Sequence, residues 1–292
     1  MPEAAALREE GGERVTRALV TLLAYGVPFL LILVPLLLFL LQSFFSVEKT
    51  EIVRSVTLVN YVRFFSEATF IPIFFYTCLL SLGAALITVI LGYPVALLLA
   101  SLAGRAKYLL TLVFVIPLLM SYIMKIYAIR SLLGGNGFLN RMLIAAGIID
   151  QPITFLIFNL YAVMITLALI LLPFTMLPIF ITLDRIPRQL VDASHDLGAT
   201  GWQTFRRVIL PLSASGTLIG ASFTFVLALG DFVTPQMVGG MNGLTFGRII
   251  YSQFGFAFNW PFGAALSIIL LVFVAIVLLL TGRAFNRGSV MA

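Results

Sequence analysis

Six apolar stretches dominate this chain of 292 residues, and each is long enough to cross a lipid bilayer as a helix. Crossing about 30 Å of hydrocarbon takes about 20 apolar residues. Only 10% of the residues are charged, against about 25% in soluble domains. We therefore predict an all-α polytopic membrane protein with six transmembrane helices. The stretches lie near Ala18–Leu41, Pro72–Ala103, Tyr108–Leu133, Pro152–Leu183, Pro211–Val238 and Pro261–Gly282.

These stretches predict a single transmembrane domain over 18–282, with a tail at 1–17 and another at 283–292. The first stretch is longer than the apolar core of a signal peptide, about 7–15 residues, so we interpret it as a retained membrane anchor. The second and fourth stretches are longer than a bilayer needs, so we expect them to tilt, kink or protrude. The prolines at which we expect kinks are Pro94, Pro173 and Pro178.

The distribution of Lys and Arg predicts the orientation, because short cytoplasmic loops carry an excess of positive charge. If both termini are cytoplasmic, the inner residues are Arg8, Arg14, Arg17, Arg105, Lys107, Arg185, Arg188, Arg206, Arg207, Arg283 and Arg287. The outer residues are then Lys49, Arg54, Arg63, Arg141 and Arg248. We therefore predict cytoplasmic termini. The same distribution explains the net charge of +6 without a nucleic-acid partner.

Three outer segments follow from this orientation, and none is long enough for a separate soluble domain. All three contain aromatic residues and the last two contain glycines, which makes them a candidate docking rim for a protein outside the membrane. The segments are Ser43–Ile71, Gly134–Gln151 and Gly239–Trp260.

Several site chemistries have no support in the sequence. Cys78 is the only cysteine and His195 the only histidine, so thiolate metal sites, disulfides and histidine-rich metal centres are excluded. No G-x-x-x-x-G-K-[ST] phosphate loop occurs. Ser213 and Ser215 have no paired base, which argues against an intramembrane enzyme. We predict a non-catalytic chain that holds no cofactor.

The segment 184–210, hereafter the 184–210 loop, is a polar segment between the apolar fourth and fifth stretches. Its apolar residues recur at helical spacing and lie at Ile186, Leu190, Ala193 and Leu197. Pro187 suits the first turn of this helix and Gly198 suits its end. Thr200 and Gln203 match a capping box for a second helix, and Leu210-Pro211 predicts a bend back into the membrane.

Two hypotheses explain such a helix–glycine–helix loop. Its apolar face can insert into a groove on a partner protein. Alternatively, the loop can rest on the lipid surface, with Arg206 and Arg207 facing anionic headgroups. His195 is interpreted as a solvated or interface residue rather than a catalytic base.

The loop resembles the EAA loop of binding-protein-dependent ABC importer permeases. The family pattern is Glu-Ala-Ala, three residues, Gly, nine residues, Ile-x-Leu-Pro. This chain has Asp192-Ala193-Ser194, then Gly198, then Val208-x-Leu210-Pro211, and every spacing matches. Asp replaces Glu, Ser replaces the second Ala, and Val replaces Ile.

Further stretches resemble the spermidine/putrescine branch of these permeases, and the resemblance runs from about Thr57 to Gly282. They are Thr57-Leu-Val-Asn60-Tyr61, Gly92-Tyr93-Pro94-Val-Ala96, Asn136-Gly137-Phe-Leu-Asn140, and Gly230-Asp231-Phe232-Val-Thr-Pro235 with Gly239-Gly240.

The resemblance implies a type I ABC importer permease (MetI-like) fold in a bacterial inner membrane. It implies that the loop docks an ABC ATPase subunit dimer, which holds ATP and Mg. The other implied partners are a second permease subunit, either a paralogous chain or a second copy, a periplasmic substrate-binding protein and membrane lipid. The implied ATPase-docking residues are Asp192, Ala193, Ser194, Asp196, Leu197, Gly198 and Ala199.

The implied solute is a polyamine or related small amine, and the same branch also handles opines, amino acid derivatives and phosphonates. A secondary transporter is a less favoured alternative, because inverted repeats and midplane charges are typical of that class and we find neither in the sequence.

Ionisable residues inside the stretches are candidates for the substrate path. Asp231 lies about 20 residues, or roughly 30 Å, beyond Pro211, near the outer face. With Phe232 it offers charge pairing and cation–π contact to an amine, and Tyr127 is a further predicted path residue. The alternative for Asp231 is a solvated interfacial carboxylate or a structural ion pair.

Lys125 and Arg130 in the third stretch also have two interpretations. They can snorkel to the interface, or act electrostatically in a path for an anionic solute. Tyr122 and Tyr127 nearby are typical of interfacial aromatic belts, and the glycines at 134, 135 and 137 predict a turn.

Overall fold

The computed structural model describes residues 17, 20–48, 51–241 and 243–289, and it is predominantly helical. The helices are α1 Leu22–Gln42, α2 Val59–Ser66, α3 Phe70–Ser101, α4 Gly104–Leu119, α5 Tyr122–Leu133, α6 Phe138–Ala145, α7 Leu160–Asp184, α8 Arg188–Asp196, α9 Gly201–Gly230, α10 Val233–Val238, α11 Phe246–Gly255 and α12 Trp260–Ser289. A short antiparallel hairpin joins β1, Ser46–Glu48, to β2, Glu51–Val53. The all-α prediction did not include this hairpin. Of the predicted tails, 1–16 and 290–292 lie outside the described residues.

The membrane-spanning pattern agrees with the prediction of six spans. Among the described residues, five helices are long and apolar enough to cross a bilayer, and the number is six if a bent pair of helices counts as one span. The five are α1, α3, α7, α9 and the Trp260–Arg283 part of α12. The last of them passes the predicted end at Gly282, since α12 continues to Ser289.

The third predicted span is divided into two helical segments. The helical segments Gly104–Leu119 and Tyr122–Ala145 meet at an angle of 103°. Pro117 lies in the last turn of α4, where it removes one N–H from the ladder. Met120 and Ser121 then adopt extended ψ angles of 146° and 138°. The break lies between these two residues, and Tyr122 opens the next helix.

The fourth span begins later than predicted, at Leu160 rather than Pro152. Residues before it form a loop with a short 3-10 turn, Thr154–Leu156. Asn159 caps the helix, because its side-chain oxygen accepts the N–H of Ala162 at 2.8 Å. Pro173 and Pro178 lie inside α7, and Pro94 lies inside α3.

The predicted bend at Leu210-Pro211 is also wrong, since α9 runs from Gly201 to Gly230. A π-turn at Phe205–Ile209 precedes the proline. Pro211 has no N–H for the carbonyl of Arg207, and we attribute the widened turn to this missing bond. At its other end the helix stops at Gly230 instead of Val238, because Asp231 leaves the helical conformation.

The helices α3, α7 and α9 pack closely in a compact unit formed by 64–252 and the chain from Leu270 onward. The Thr175 hydroxyl lies 2.9 Å from Thr88 Oγ1 and also pairs with Thr224 Oγ1, and all three side chains are fully buried. A Cβ at Gly220 would lie 2.6 Å from the Thr175 carbonyl oxygen. Small residues and interhelical hydroxyl bonds are typical of close helix packing in membranes.

A second compact unit, which includes α1, the hairpin and residues 253–269, has polar anchors of its own. The Asn60 amide donates to the carbonyl oxygens of Ser43 at 2.9 Å and Phe45 at 2.7 Å. Ser43 Oγ lies 2.7 Å from the Tyr61 hydroxyl. These bonds tie the end of α1 to the start of α2, so the hairpin between them is held at both ends.

Candidate functional site

The 184–210 loop has the predicted helix–glycine–helix shape. Helix α8 ends at Asp196 and is followed, after Leu197, by a residue in the left-handed conformation, Gly198, with φ of +79°. Its N–H donates to the His195 carbonyl at 2.8 Å, and the Ala199 N–H donates to the Ser194 carbonyl at 3.0 Å, which is the Schellman pattern. A Cβ at Gly198 would meet nothing within 4 Å. Glycine is therefore favoured here by backbone conformation and not by lack of space.

The second helix of the loop begins with the predicted capping box. The Gln203 N–H donates to Thr200 Oγ1 at 3.4 Å, and the Thr200 N–H donates to Gln203 Oε1 at 2.9 Å. Ser194 Oγ lies 2.8 Å from the buried Thr204 hydroxyl. This last bond connects α8 to the start of α9, so the two helices of the loop are joined to each other as well as to the spans.

Most of the predicted docking residues are exposed. These are Asp192, Ala193, Asp196, Leu197 and Gly198, whereas Ser194 and Ala199 are half-buried. Leu197 is 89% exposed and Leu190 is 46% exposed. The Ser194 hydroxyl also donates to the Val191 carbonyl at 2.7 Å, so it points into the loop. The apolar face of α8 thus lies open on this chain, as expected of a surface that is covered by something else.

The base of the loop is packed into the helical core. Ile186, Phe205 and Ile209 contact a buried cluster from α3 and α7. The members of that cluster are Tyr93, Ala96, Leu99, Met176, Ile179 and Leu183. Both ends of the loop therefore insert side chains into the same two helices.

At the other end of α9, Asp231 holds two helices together. Its Oδ1 accepts the Val233 N–H at 3.1 Å, and its Oδ2 accepts the Thr234 N–H at 3.2 Å. The Tyr122 hydroxyl donates to the same Oδ2 at 3.0 Å and lies 3.0 Å from Thr234 Oγ1. Asp231 thus caps α10 and binds the first residue of α5. Sequence reasoning missed Tyr122 and Thr234, since 109 residues separate Tyr122 from Asp231.

The predicted path aromatics Phe232 and Tyr127 have different surroundings. Phe232 stacks on Tyr251, with ring centroids 4.4 Å apart and planes 10° from parallel. Tyr127 is 52% exposed and follows Tyr122 by five residues, about 140° around α5. Tyr127 therefore lies on a different face from Tyr122, and its place in a path stays a prediction.

The two cations of α5 lie over aromatic rings. Lys125 Nζ is 5.6 Å from the Tyr122 ring centroid, and the Arg130 guanidinium is 5.7 Å from that of Phe158. His195 is exposed, with Nδ1 3.2 Å from the Ala199 carbonyl oxygen. Within the part of the chain that the structure describes, no three His, Cys, Asp or Glu side chains are grouped to hold a metal ion.

Residues 92–287, which contain the loop and Asp231, match the family model described as "Binding-protein-dependent transport system inner membrane component". The chain belongs to this family. It is a multi-pass inner-membrane permease of a binding-protein-dependent ABC importer, as the loop pattern predicted. The orientation of its termini stays a prediction.

Members of the family resemble the chain over most of its length. It is 35% identical over 271 residues to the spermidine/putrescine transport system permease protein PotB of Escherichia coli, covering 91% of this chain and 96% of PotB. It is 32% identical over 281 residues to the inner membrane ABC transporter permease protein YdcU of the same organism. That match covers 87% of this chain and 88% of YdcU.

A solved structure confirms the fold. A chain of a bacterial ABC transporter involved in alginate import superimposes with a TM-score of 0.74. The match covers 95% of this chain and 98% of that one, at 17% identity. At that identity the likeness concerns the permease fold alone.

Proposed function

We propose that this permease carries a polyamine, such as spermidine or putrescine, from a periplasmic binding protein into the cytoplasm. The observation that supports the solute class is the 35% identity to PotB, which extends over 91% of the chain. The resemblance in the Gly92-Tyr93-Pro94 and Gly230-Asp231-Phe232 stretches agrees with it.

We propose that the 184–210 loop docks an ABC ATPase, with Asp192, Asp196 and Leu197 as exposed contacts. The open apolar face of α8 supports this role, because a groove on a soluble partner would remove Leu190 and Leu197 from water. ATP and Mg would be bound by that ATPase, and this chain would only be moved by it. Catalysis is accordingly not expected of the permease itself.

We propose that Asp231 and Phe232 lie beside the solute path near the outer face. Hydrogen bonds from Tyr122, Val233 and Thr234 hold the Asp231 carboxylate in place. The negative charge of this carboxylate would attract an ammonium group. The Phe232–Tyr251 stack offers an aromatic face for the same cation.

A neighbouring cation supports a second candidate solute. Lys125 lies over the ring of Tyr122, which itself binds Asp231. An ammonium group at this place would repel a polyamine and attract an anionic or zwitterionic solute, such as an opine or a phosphonate. Competition in a single uptake assay distinguishes the two solute classes.

The test is uptake by proteoliposomes that contain the permease, its ATPase and its partner permease, with the binding protein outside. We expect radiolabelled spermidine to enter only when ATP is present inside, and a protonophore to have no effect. Unlabelled putrescine should compete, and a phosphonate should not. Uptake that follows an ion gradient without ATP would contradict the proposal.

A further inference from the structure

The start of α9 connects the 184–210 loop to the membrane core through an irregular stretch of helix. The π-turn Phe205–Ile209 is followed almost at once by Pro211. Both features interrupt the regular hydrogen bonding of a helix. A displacement applied to the loop would be lost in bending here unless another contact holds this place.

One residue of α3 contacts the helix on both sides of that connection. The Tyr93 hydroxyl lies 2.6 Å from Ser213 Oγ, and both side chains are buried. The Tyr93 ring meets the Phe205 ring edge-on, with centroids 5.7 Å apart. Phe205 precedes Pro211 and Ser213 follows it, so Tyr93 spans the interrupted turn.

Ser213 also provides a hydrogen-bond donor to backbone carbonyls in the interrupted turn. Its hydroxyl donates to the Ile209 carbonyl at 2.8 Å and lies 3.2 Å from that of Leu210. A serine hydroxyl can donate once and accept from another group, so Tyr93 is then the donor to Ser213. The resulting chain of bonds runs from α3 through Ser213 to the last residue of the π-turn.

We propose that Tyr93 is a positioning residue for energy coupling. By holding Phe205 and Ser213 against α3, it makes a displacement of the 184–210 loop move α3, α7 and α9 as one body. The inference rests on the proposed function, because the loop must be moved by a partner for this contact to matter. Without the Tyr93 hydroxyl, ATP hydrolysis would continue while less solute is moved per ATP.

The test uses two variants that each remove one oxygen atom. Tyr93→Phe keeps the ring against Phe205 but loses the hydroxyl, and Ser213→Ala loses its partner. Tyr76→Phe is the matched control on the same helix, since Tyr76 is 63% exposed. Thr217→Ala is the control on α9, because among the described residues its hydroxyl bonds within that helix, at 3.1 Å to the Ser213 carbonyl.

The measurement is the number of solute molecules transported per ATP hydrolysed by the reconstituted complex. We expect about a fivefold fall in Tyr93→Phe, the size expected for one buried hydrogen bond, with ATPase assembly retained. In the double variant, the number of solute molecules moved per ATP should fall no further than in the worse single variant, since both substitutions remove the same bond. Unchanged ratios in both single variants, or losses that multiply in the double variant, would overturn the proposal.

A second measurement is independent of the solute. Amide hydrogen exchange over 205–213 should be faster in Tyr93→Phe than in the wild type and in Tyr76→Phe. If the wild-type complex moves no solute with ATP, the proposed function fails, and this exchange rate still decides whether Tyr93 holds the turn. Equal exchange in the three proteins would refute the inference.

Discussion

The two ends of α9 differ in how they use their polar and apolar side chains. At one end, the 184–210 loop leaves Leu197 89% exposed, and Asp192 and Asp196 are exposed as well. At the other end, roughly 45 Å away along 30 residues, Asp231 is engaged by Tyr122, Val233 and Thr234 of the same chain. The exposed surface of the loop agrees with its proposed contact with another molecule, whereas the Asp231 network holds helices of its own chain together.

This difference separates the expected consequences of substitution. Changes in the loop should reduce transport while the chain stays folded, because its exposed side chains support few contacts within the chain. Changes at Asp231 should reduce stability before they change anything else, because partly buried donors lose their acceptor. The following substitutions test this separation.

Gly198→Val should have the largest effect on transport, a fall of at least about tenfold, because a β-branched residue resists the left-handed conformation. No clash is expected, since the space around the Cβ is open, so membrane insertion should be normal. The measurement is ATP-dependent uptake together with co-purification of the ATPase. Gly201→Ala is the control, because a Cβ there also meets nothing within 4 Å. Uptake at the wild-type rate in Gly198→Val would show that the conformation of the loop is not needed for transport.

Asp231→Ala should have the largest effect on stability, about 3 kcal/mol, because three hydrogen bonds lose their acceptor. Asp231→Asn keeps one acceptor oxygen, so its stability should fall by only about 1 kcal/mol. Thermal unfolding in detergent measures both, and Asp150→Ala, which changes an exposed aspartate, is the control.

Asp231→Asn also tests the solute path. If the carboxylate meets an amine, this variant should raise the KM for spermidine although it is nearly stable. Unfolding of Asp231→Ala at the wild-type temperature would show that the network has no structural role, and the contrast between the two ends of α9 would disappear.

Thr200→Ala should have a smaller and local effect, about 1 kcal/mol, because it removes the cap of α9. We expect about fivefold faster amide exchange over 201–204 and a partial loss of uptake. Thr200→Ser keeps the capping hydroxyl and should behave like the wild type. Loss of global stability in Thr200→Ala would mean that the loop is part of the folded core.

The loop was predictable because its structure is local. Gly198, Thr200 and Gln203 determine the end of one helix and the start of the next within six residues. The spans were predictable because their length is imposed by the bilayer. The boundaries at Leu160 and Gly230 were not, since a capping asparagine and an aspartate override the apolar pattern there.

The contacts that join distant helices could not be predicted from the sequence. Tyr122 shows no local sign that it binds Asp231, and it resembled a residue of an aromatic belt. Tyr93 is 120 residues from Ser213. Pro117 was a usable sign of the broken third span, but a proline near a helix end is compatible with both a kink and a stop.

Ser194→Ala should have the smallest effect and is the finest test of the loop. The resemblance predicted that Ser194 contacts the ATPase, but its hydroxyl binds Val191 and Thr204 within the loop. Alanine is the residue of the family pattern at this position, so docking should survive. We expect uptake within about twofold of the wild type, and a loss of at most about 1 kcal/mol of local stability, since Thr204 loses one bond.

Asp192→Ala is the comparison for that test, because Asp192 belongs to the same motif and is exposed. Its loss should weaken ATPase co-purification without affecting thermal unfolding. If Ser194→Ala weakens co-purification as strongly as Asp192→Ala, the serine hydroxyl must turn outward in the complex. The loop would then rearrange on docking, instead of presenting to the ATPase the surface that it has in this chain.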